Sequence, residues 1–207
     1  IRFFRFVAFF TAISLPALYI ALLSFHPEML PPGLITSLAQ ARKQVPLPVL
    51  VETFIQEMII QLVIESGLRL PGSVGQTVGV VAGIILGQVA VSAKMASPGV
   101  IIVVAITAIA TFALPSNSMI LATRFIRLPM LFLCAAFGLF GFSMGWLLIL
   151  THLASLESLG VPFFAPLAPT RYADFRDTLF RIPLWKMNKR PVTIPHQDDM
   201  RQGNTGE

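Results

Sequence analysis

The sequence predicts an all-α membrane protein with about four transmembrane helices and one amphipathic acidic helix that is re-entrant or interfacial. Of its 207 residues, 55% are hydrophobic and only 12% are charged, whereas an average soluble domain has about 25% charged residues. Four apolar segments are candidate membrane spans. A further apolar segment carries three glutamates, which hydrocarbon does not tolerate as unpaired, ionised groups facing lipid.

The four candidate spans are separated by prolines, glycines and charged residues. They cover residues 3–25, 74–93, 99–114 and 129–153. Pro16 lies inside the first of them and is expected to kink it, which membranes tolerate. Basic residues concentrate after Pro169, and Arg2 and Arg5 precede the first span, so both ends are expected on the cytoplasmic side. Two ends on one side require an even number of spans.

Three regions are predicted along the chain. Residues 1–170 form a helical membrane domain, residues 171–190 a basic cytoplasmic flank with six Lys or Arg, and residues 191–207 a polar, disordered tail. The chain opens inside an apolar segment without a methionine, so we expect it to be the C-terminal part of a longer protein.

Two shorter helices are expected between the candidate spans. Residues 31–45 are more polar and predict a short surface helix. Residues 118–128 predict a helix that carries Arg124 and Arg127. Long basic side chains in such positions usually extend to the lipid head groups.

The acidic helix is bounded by Pro48 and by Pro71-Gly72. On a helix, Glu57, Gln61 and Glu65 form one polar stripe, and Glu52 with Gln56 forms a second pair about 100° away. We name four of these side chains as candidates for an ion path, namely Glu52, Glu57, Gln61 and Glu65. Three environments stay open for the carboxylates: water at the membrane interface, a ring around an oligomer axis that draws in cations, or pairing with a base such as Arg69.

The second candidate span carries glycines at intervals of four residues, namely Gly75, Gly79, Gly83 and Gly87. Glycines at this spacing form a groove in which another helix can approach to backbone contact. The groove is filled either by a neighbour in the same chain or by other subunits, and we name these glycines as candidates for helix packing and oligomer contact.

The sequence carries no recognisable catalytic or metal-ligating motif. Its three histidines are far apart, and its one cysteine, Cys134, lies in an apolar run. We therefore expect a protein that is not an enzyme and that needs no cofactor or metal. The basic balance is typical of a membrane flank rather than of a nucleic-acid-binding protein.

Several long runs resemble one known family. They are FRFVAFFTAISLPALYIALLSFHPEMLP, VPLPVLVETFIQEMIIQLVIESGLRLP, GSVGQTVGVVAGIILGQVAVSAKMASPGVIIVVAITAIATFALP and HLASLESLGVPFFAPLAP. Over about residues 1–190, the chain resembles the membrane domain of the GerA family of spore germination proteins. That family includes the A subunits of nutrient germinant receptors and the stage V sporulation protein AF, and the resemblance does not separate these two branches.

The resemblance implies a helical membrane domain in the inner membrane of a bacterial endospore, preceded by a soluble cytoplasmic domain. It also implies a homo-oligomer that forms a cation-releasing channel in response to germination signals. The implied partners are membrane lipid, a transporter-like B subunit and a C lipoprotein, and nucleic acid is not among them. The competing hypothesis is a non-conducting membrane scaffold that gathers other germination proteins.

Overall fold

The computed structural model describes residues 2–69, 83, 85–158, 161–162, 164–165 and 167–168. Within these residues the long elements are α1 Arg2–Phe25, α2 Pro32–Arg42, α3 Val49–Arg69, α4 Pro98–Phe112 and α5 Asn117–Ser155. Residues 85–92 are helical as well. The predicted helical class is therefore confirmed. The chain divides into a larger unit of residues 5–145 and a smaller unit of residues 1–4 and 146–207.

The first predicted span is a continuous helix, α1, which is long and apolar enough to cross a membrane. Its 24 residues correspond to about 36 Å, which exceeds the roughly 30 Å of a bilayer core. One face of α1 carries small side chains. On that face, Ala8 and Ala12 pack against Ala110 of α4. Pro16 lies inside α1 without ending it, as expected in a membrane helix.

Helices α3 and α4 form the main helix pair of the larger unit, and α2 also contacts α4. The predicted surface helix is confirmed as α2, which has no buried residue. The acidic helix is confirmed as α3. Helix α4 has only 15 residues, or about 22 Å, which is shorter than the bilayer core. The predicted third span is thus a helix, but it does not reach the length of a full crossing.

The fourth predicted span is corrected by the structure, because the chain reverses direction within α5. Gly138 has φ 60° and ψ −135°, a conformation that residues with a Cβ rarely adopt. After it, Gly141 lies against the carbonyl of Leu133 and Gly145 against Met130. In one straight helix these pairs would be about 12 Å and 22 Å apart. The segment is therefore a helical hairpin whose second arm carries glycines where it touches the first.

The first arm of this hairpin also contains the short helix predicted over residues 118–128. The predicted division between that helix and a span beginning at residue 129 is wrong, since α5 continues through Pro129. Two helices of the described chain, α1 and α5, are long and apolar enough to be candidate spans, and the predicted four spans are not confirmed. Most of the predicted second span, the basic flank and the tail lie outside the described residues.

The smaller unit contains the only strands in the described residues. β1 Glu157–Ser158 and β2 Val161–Pro162 pair in antiparallel register, with Glu157 opposite Pro162 and Ser158 opposite Val161. This short pair follows α5 directly and precedes the proline-rich segment that continues to residue 169.

Candidate functional site: glutamate–arginine pairs along α3

Each of the three glutamates of α3 lies next to an arginine from another element. The pairs are Glu52 with Arg42 at the end of α2, Glu57 with Arg127 of α5, and Glu65 with Arg124 of α5. An ionised carboxylate in an apolar interior is costly unless a counter-charge and hydrogen bonds compensate it. Of the three environments that the sequence left open, the described chain shows pairing with a base. The bases are not the expected Arg69, whose side chain lies outside the described part.

Glu52 joins α3 to the start of α4. Its side chain is fully buried, and its Oε1 accepts a hydrogen bond of 2.5 Å from the Ser97 backbone N–H and one of 2.6 Å from the Ser97 hydroxyl. Its Oε2 lies 3.5 Å from Nη2 of Arg42, which also donates to the Leu47 carbonyl at 3.4 Å. Ser97 is the residue before the first turn of α4, so this carboxylate fixes where α4 begins.

Glu57 forms the tightest of the three pairs. Nη1 of Arg127 donates to its Oε2 at 2.7 Å, and both side chains are only 3% exposed. Nη2 of Arg127 donates to the Thr111 hydroxyl at 2.8 Å, and that hydroxyl donates to the Thr107 carbonyl at 2.8 Å. The network therefore connects α3, α4 and α5 through a single guanidinium, whose fork geometry suits two directed bonds at once.

Glu65 forms the most open pair. Its Oε2 lies 3.5 Å from Nη1 of Arg124, with the two side chains 41% and 22% exposed. Both residues border a half-open cavity of about 220 Å³ between α3 and α5. The cavity is lined by four apolar and five polar or charged side chains, namely Met58, Leu62, Phe125, Leu128, Glu57, Gln61, Glu65, Arg124 and Arg127.

Several buried polar atoms near these pairs have no hydrogen-bond partner among the described residues. On α3 they are Glu52 Oε2, Thr53 Oγ1, Glu57 Oε1 and Gln61 Oε1, and on α5 they are Nε of Arg124 and Nε of Arg127. Thr53, Glu57 and Gln61 are spaced at i, i+4 and i+8, so they follow one face of α3. Buried polar groups are nearly always satisfied in native proteins, so these atoms need partners that the described residues do not supply.

The glycine groove is open where the structure describes it. A Cβ added at Gly83 would meet no atom within 4 Å, and one at Gly87 would meet only Ile101 at 3.7 Å. A wide cavity of about 570 Å³ lies over this face, beside Pro98 and Ile101. Gly75 and Gly79 lie outside the described residues.

The four ion-path candidates lie on one helix, α3, as the sequence predicts, but the sequence did not indicate the groups that pair with them. Arg127 was expected at the lipid head groups, and this is wrong, because its side chain is buried against Glu57. The partners Arg42, Ser97 and Thr111 carry no motif. Two facts in the sequence could have indicated the arginine partners. Each buried carboxylate in an apolar chain needs a compensating cation. Arg124 and Arg127 are three residues apart, so both lie near one face of their helix.

Two helices of the described residues are long and apolar enough to cross a membrane, and the glutamates of α3 lie beside arginines, as expected of carboxylates in an apolar protein. The family model described as Bacillus/Clostridium GerA spore germination protein matches residues 1–193. This chain therefore belongs to the GerA family of spore germination proteins.

Individual relatives agree with that assignment. Spore germination protein KA of Bacillus subtilis is 40% identical over 203 residues, which cover 98% of this chain and 37% of that protein. Spore germination protein B1 of the same organism is 38% identical over 202 residues, covering 98% of this chain and 42% of that protein. YfkQ of Bacillus subtilis, named as an uncharacterized membrane protein, is 35% identical over 193 residues, which cover 93% and 38%.

The chain thus spans about two fifths of the length of these relatives. No solved structure matches it.

Proposed function

We propose that this chain is the membrane part of a spore germination protein that forms a homo-oligomeric cation-release channel in response to germination signals. The relatives named as spore germination proteins support the germination role. The proposed location is the inner membrane of an endospore, with a transporter-like B subunit and a C lipoprotein as partners, and the proposed activity is transport rather than catalysis.

The proposed ion path rests on a row of oxygen atoms along α3 that have no hydrogen-bond partner among the described residues. Thr53, Glu57 and Gln61 offer a hydroxyl, a carboxylate and an amide oxygen, one turn or about 6 Å apart. Oxygen atoms of these kinds replace the hydration shell of a cation in selective pores. In this protomer the carboxylates of Glu52 and Glu57 are neutralised by arginines, so we propose that the described arrangement is the non-conducting one.

Cation flux through the reconstituted full-length protein tests this proposal. Gln61→Leu removes one oxygen of the row without breaking an ion pair, and we expect a lower rate of potassium or sodium release from vesicles. The matched control is Leu62→Gln, which adds an amide at the neighbouring, 69% exposed position. Flux and cation selectivity that stay unchanged in Gln61→Leu would show that the row is not a path.

The open groove at Gly83 supports the homo-oligomer. Gly83→Leu adds a side chain where the described protomer has free space, so the protomer should fold while the assembly is lost, because the groove no longer admits a second helix. Gly33→Leu is the matched control, since Gly33 is another helical glycine with nothing within 4 Å of an added Cβ. An oligomer of unchanged mass in native gels of Gly83→Leu would contradict this assignment.

The second candidate is a non-conducting scaffold that organises other germination proteins in the membrane. The observation that favours it is the pairing of each α3 glutamate with an arginine, which leaves no net charge to attract cations. Conductance of the purified protein in planar bilayers separates the two candidates: the channel predicts cation-selective currents from this protein alone, and the scaffold predicts none.

A further inference from the structure

Helix α3 is long enough to cross a membrane, although it is not one of the two candidate spans among the described residues. Its 21 residues correspond to about 31 Å, which matches the roughly 30 Å of a bilayer core. Its three glutamates make it less apolar than α1 and α5. Glu52 and Glu57 are buried beside arginines, however, so their charges do not prevent α3 from lying in lipid.

The two faces of α3 are inverted with respect to those of a helix at a water interface. Among its described side chains, the exposed ones are all apolar, namely Val51, Met58 and Leu62. The buried side chains are mostly polar and lie on the opposite face at 100° per residue. They are Glu52, Thr53, Gln56, Glu57 and Ile64. An interfacial helix turns its polar face to water, whereas α3 turns its polar face into the protein and its apolar face outward.

The contacts of α4 determine the depth at which α3 begins. The start of α4 lies beside α1, since a Cβ added at Gly99 would lie 2.8 Å from the Tyr19 hydroxyl. Glu52 accepts two hydrogen bonds from Ser97, two residues before Gly99. Glu52 therefore lies near the level of Tyr19, which belongs to the last third of α1. The first turns of α3 are thus close to the end of α1.

The ion pairs with α5 determine the direction of α3. Glu57 pairs with Arg127 and Glu65 pairs with Arg124, so α3 and the first arm of α5 run in opposite directions. That arm ends at Gly138, where an added Cβ would lie 3.0 Å from the Cβ of Phe25, the last residue of α1. The arm therefore runs toward the end of α1, and α3 runs toward its start.

The lengths of the two helices agree with this arrangement. Glu65 lies about 20 Å beyond Glu52 along α3, and Arg5 lies about 21 Å before Tyr19 along α1. Glu65 is therefore near the level of Arg5, where a basic side chain meets the lipid head groups. This level also explains why Glu65 and its partner Arg124 stay partly exposed.

We propose that α3 crosses the bilayer as a full span antiparallel to α1, and that its exposed face contacts the acyl chains of the lipids. Val51, Met58 and Leu62 form that face. The buried polar face of α3 is turned toward α4 and α5, with Glu52 near one surface of the membrane and Glu65 near the other. Whether or not the protein conducts ions, this location places the polar face of α3 across the whole membrane.

Cysteine labelling from each side of the membrane tests the crossing. Single cysteines are placed in the full-length protein after its own cysteines are replaced, and right-side-out and inside-out membrane vesicles are treated with a membrane-impermeant maleimide. Gln44→Cys and Arg69→Cys flank α3, and we expect them to be labelled from opposite sides. Arg5→Cys, at the start of α1, should be labelled from the same side as Arg69→Cys. Labelling of Gln44→Cys and Arg69→Cys from one side would overturn the crossing.

Spin labels on the exposed face of α3 identify what covers it and how deep it lies. Nitroxides at Val51→Cys, Met58→Cys and Leu62→Cys are compared in lipid vesicles for collisions with oxygen, which concentrates in hydrocarbon, and with a nickel complex, which stays in water. We expect the ratio of oxygen to nickel collisions to be highest at Met58, near the middle of α3, and lowest at Val51. Equal ratios at the three positions would indicate a helix that lies parallel to the membrane and would overturn the proposal.

Two control labels set the scale, and two other patterns would contradict lipid contact. Phe10→Cys, at an exposed position of α1, should favour oxygen, and Ser37→Cys, at an exposed position of α2, should favour the nickel complex. A second copy of the chain over α3 would shield its labels from both reagents, and water would favour nickel at all three; either pattern would overturn the lipid assignment. Failure of the channel proposal leaves these results unaffected, because they measure location and not conduction.

Discussion

Two ion pairs connect the same two helices and differ in almost every respect that determines their strength. Glu57 and Arg127 are 2.7 Å apart and 3% exposed, whereas Glu65 and Arg124 are 3.5 Å apart and 22–41% exposed. The two glutamates are separated by about 12 Å along α3. Two Glu–Arg pairs therefore connect α3 to α5 differently: the pair of Glu57 is close and buried, and the pair of Glu65 is more distant and more exposed.

This difference separates the structural and the responsive parts of the site. A buried pair with a third partner, here Thr111, cannot be opened without leaving a charge in an apolar interior. An exposed pair exchanges its partner for water or ions at little cost. We infer that Glu57 and Arg127 hold α3, α4 and α5 together and that rearrangements of the site begin on the side of Glu65 and Arg124.

Breaking the buried pair should have the largest effect. Glu57→Gln leaves the Arg127 guanidinium buried without a counter-charge, and we expect the free energy of unfolding to fall by about 3–5 kcal/mol. Reversible unfolding in mixed detergent micelles measures this change.

The double variant Glu57→Leu with Arg127→Met is the control for that loss. It removes both charges and leaves apolar groups of similar size, so its stability should return to within about 1 kcal/mol of the parent protein. A double variant as unstable as Glu57→Gln would show that the geometry of the pair, and not the unpaired charge, is what matters.

The hydrogen bond from Arg127 to Thr111 should give an intermediate effect. Thr111→Val keeps the shape and removes the acceptor, and we expect a loss of about 1–3 kcal/mol in the same unfolding measurement. Thr123→Val is the matched control, since Thr123 is also buried and also donates its hydroxyl to the carbonyl four residues earlier. Equal losses in the two variants would assign the effect to the helix bond rather than to Arg127.

The helices of this fold could be predicted from the sequence where local signals determine them. Prolines bound α3, and α1 is a continuous apolar run, so the predicted bounds agree with the structure to within a few residues. The reversal at Gly138 could not be predicted, because a glycine in an apolar run is equally typical of a close-packed straight helix. The structure shows the reversal through the contacts of Gly141 and Gly145 with residues 8 and 15 positions earlier in the chain.

The sequence predicts how the acidic residues of α3 are arranged, but it does not predict which basic residues pair with them. Helical periodicity places Glu57, Gln61 and Glu65 on one stripe, but it cannot say that the partner of Glu57 lies 70 residues later. Pairing across helices depends on how they pack, which the sequence does not encode locally. The ion-path role of Glu52, Glu57, Gln61 and Glu65 remains a prediction, and the flux measurement on Gln61→Leu tests it at one of these four residues.

Breaking the exposed pair should have the smallest effect on stability, and it should depend on salt. We expect Glu65→Gln to lower the free energy of unfolding by at most about 1 kcal/mol at low salt. At about 1 M salt, where the Debye length falls to about 3 Å, the difference from the parent protein should vanish. The loss caused by Glu57→Gln should persist at the same salt concentration, because buried charges are screened much less. A Glu65→Gln effect that is large and independent of salt would mean that the assembled protein covers this pair, and the contrast between the two levels of α3 would then hold only for the isolated protomer.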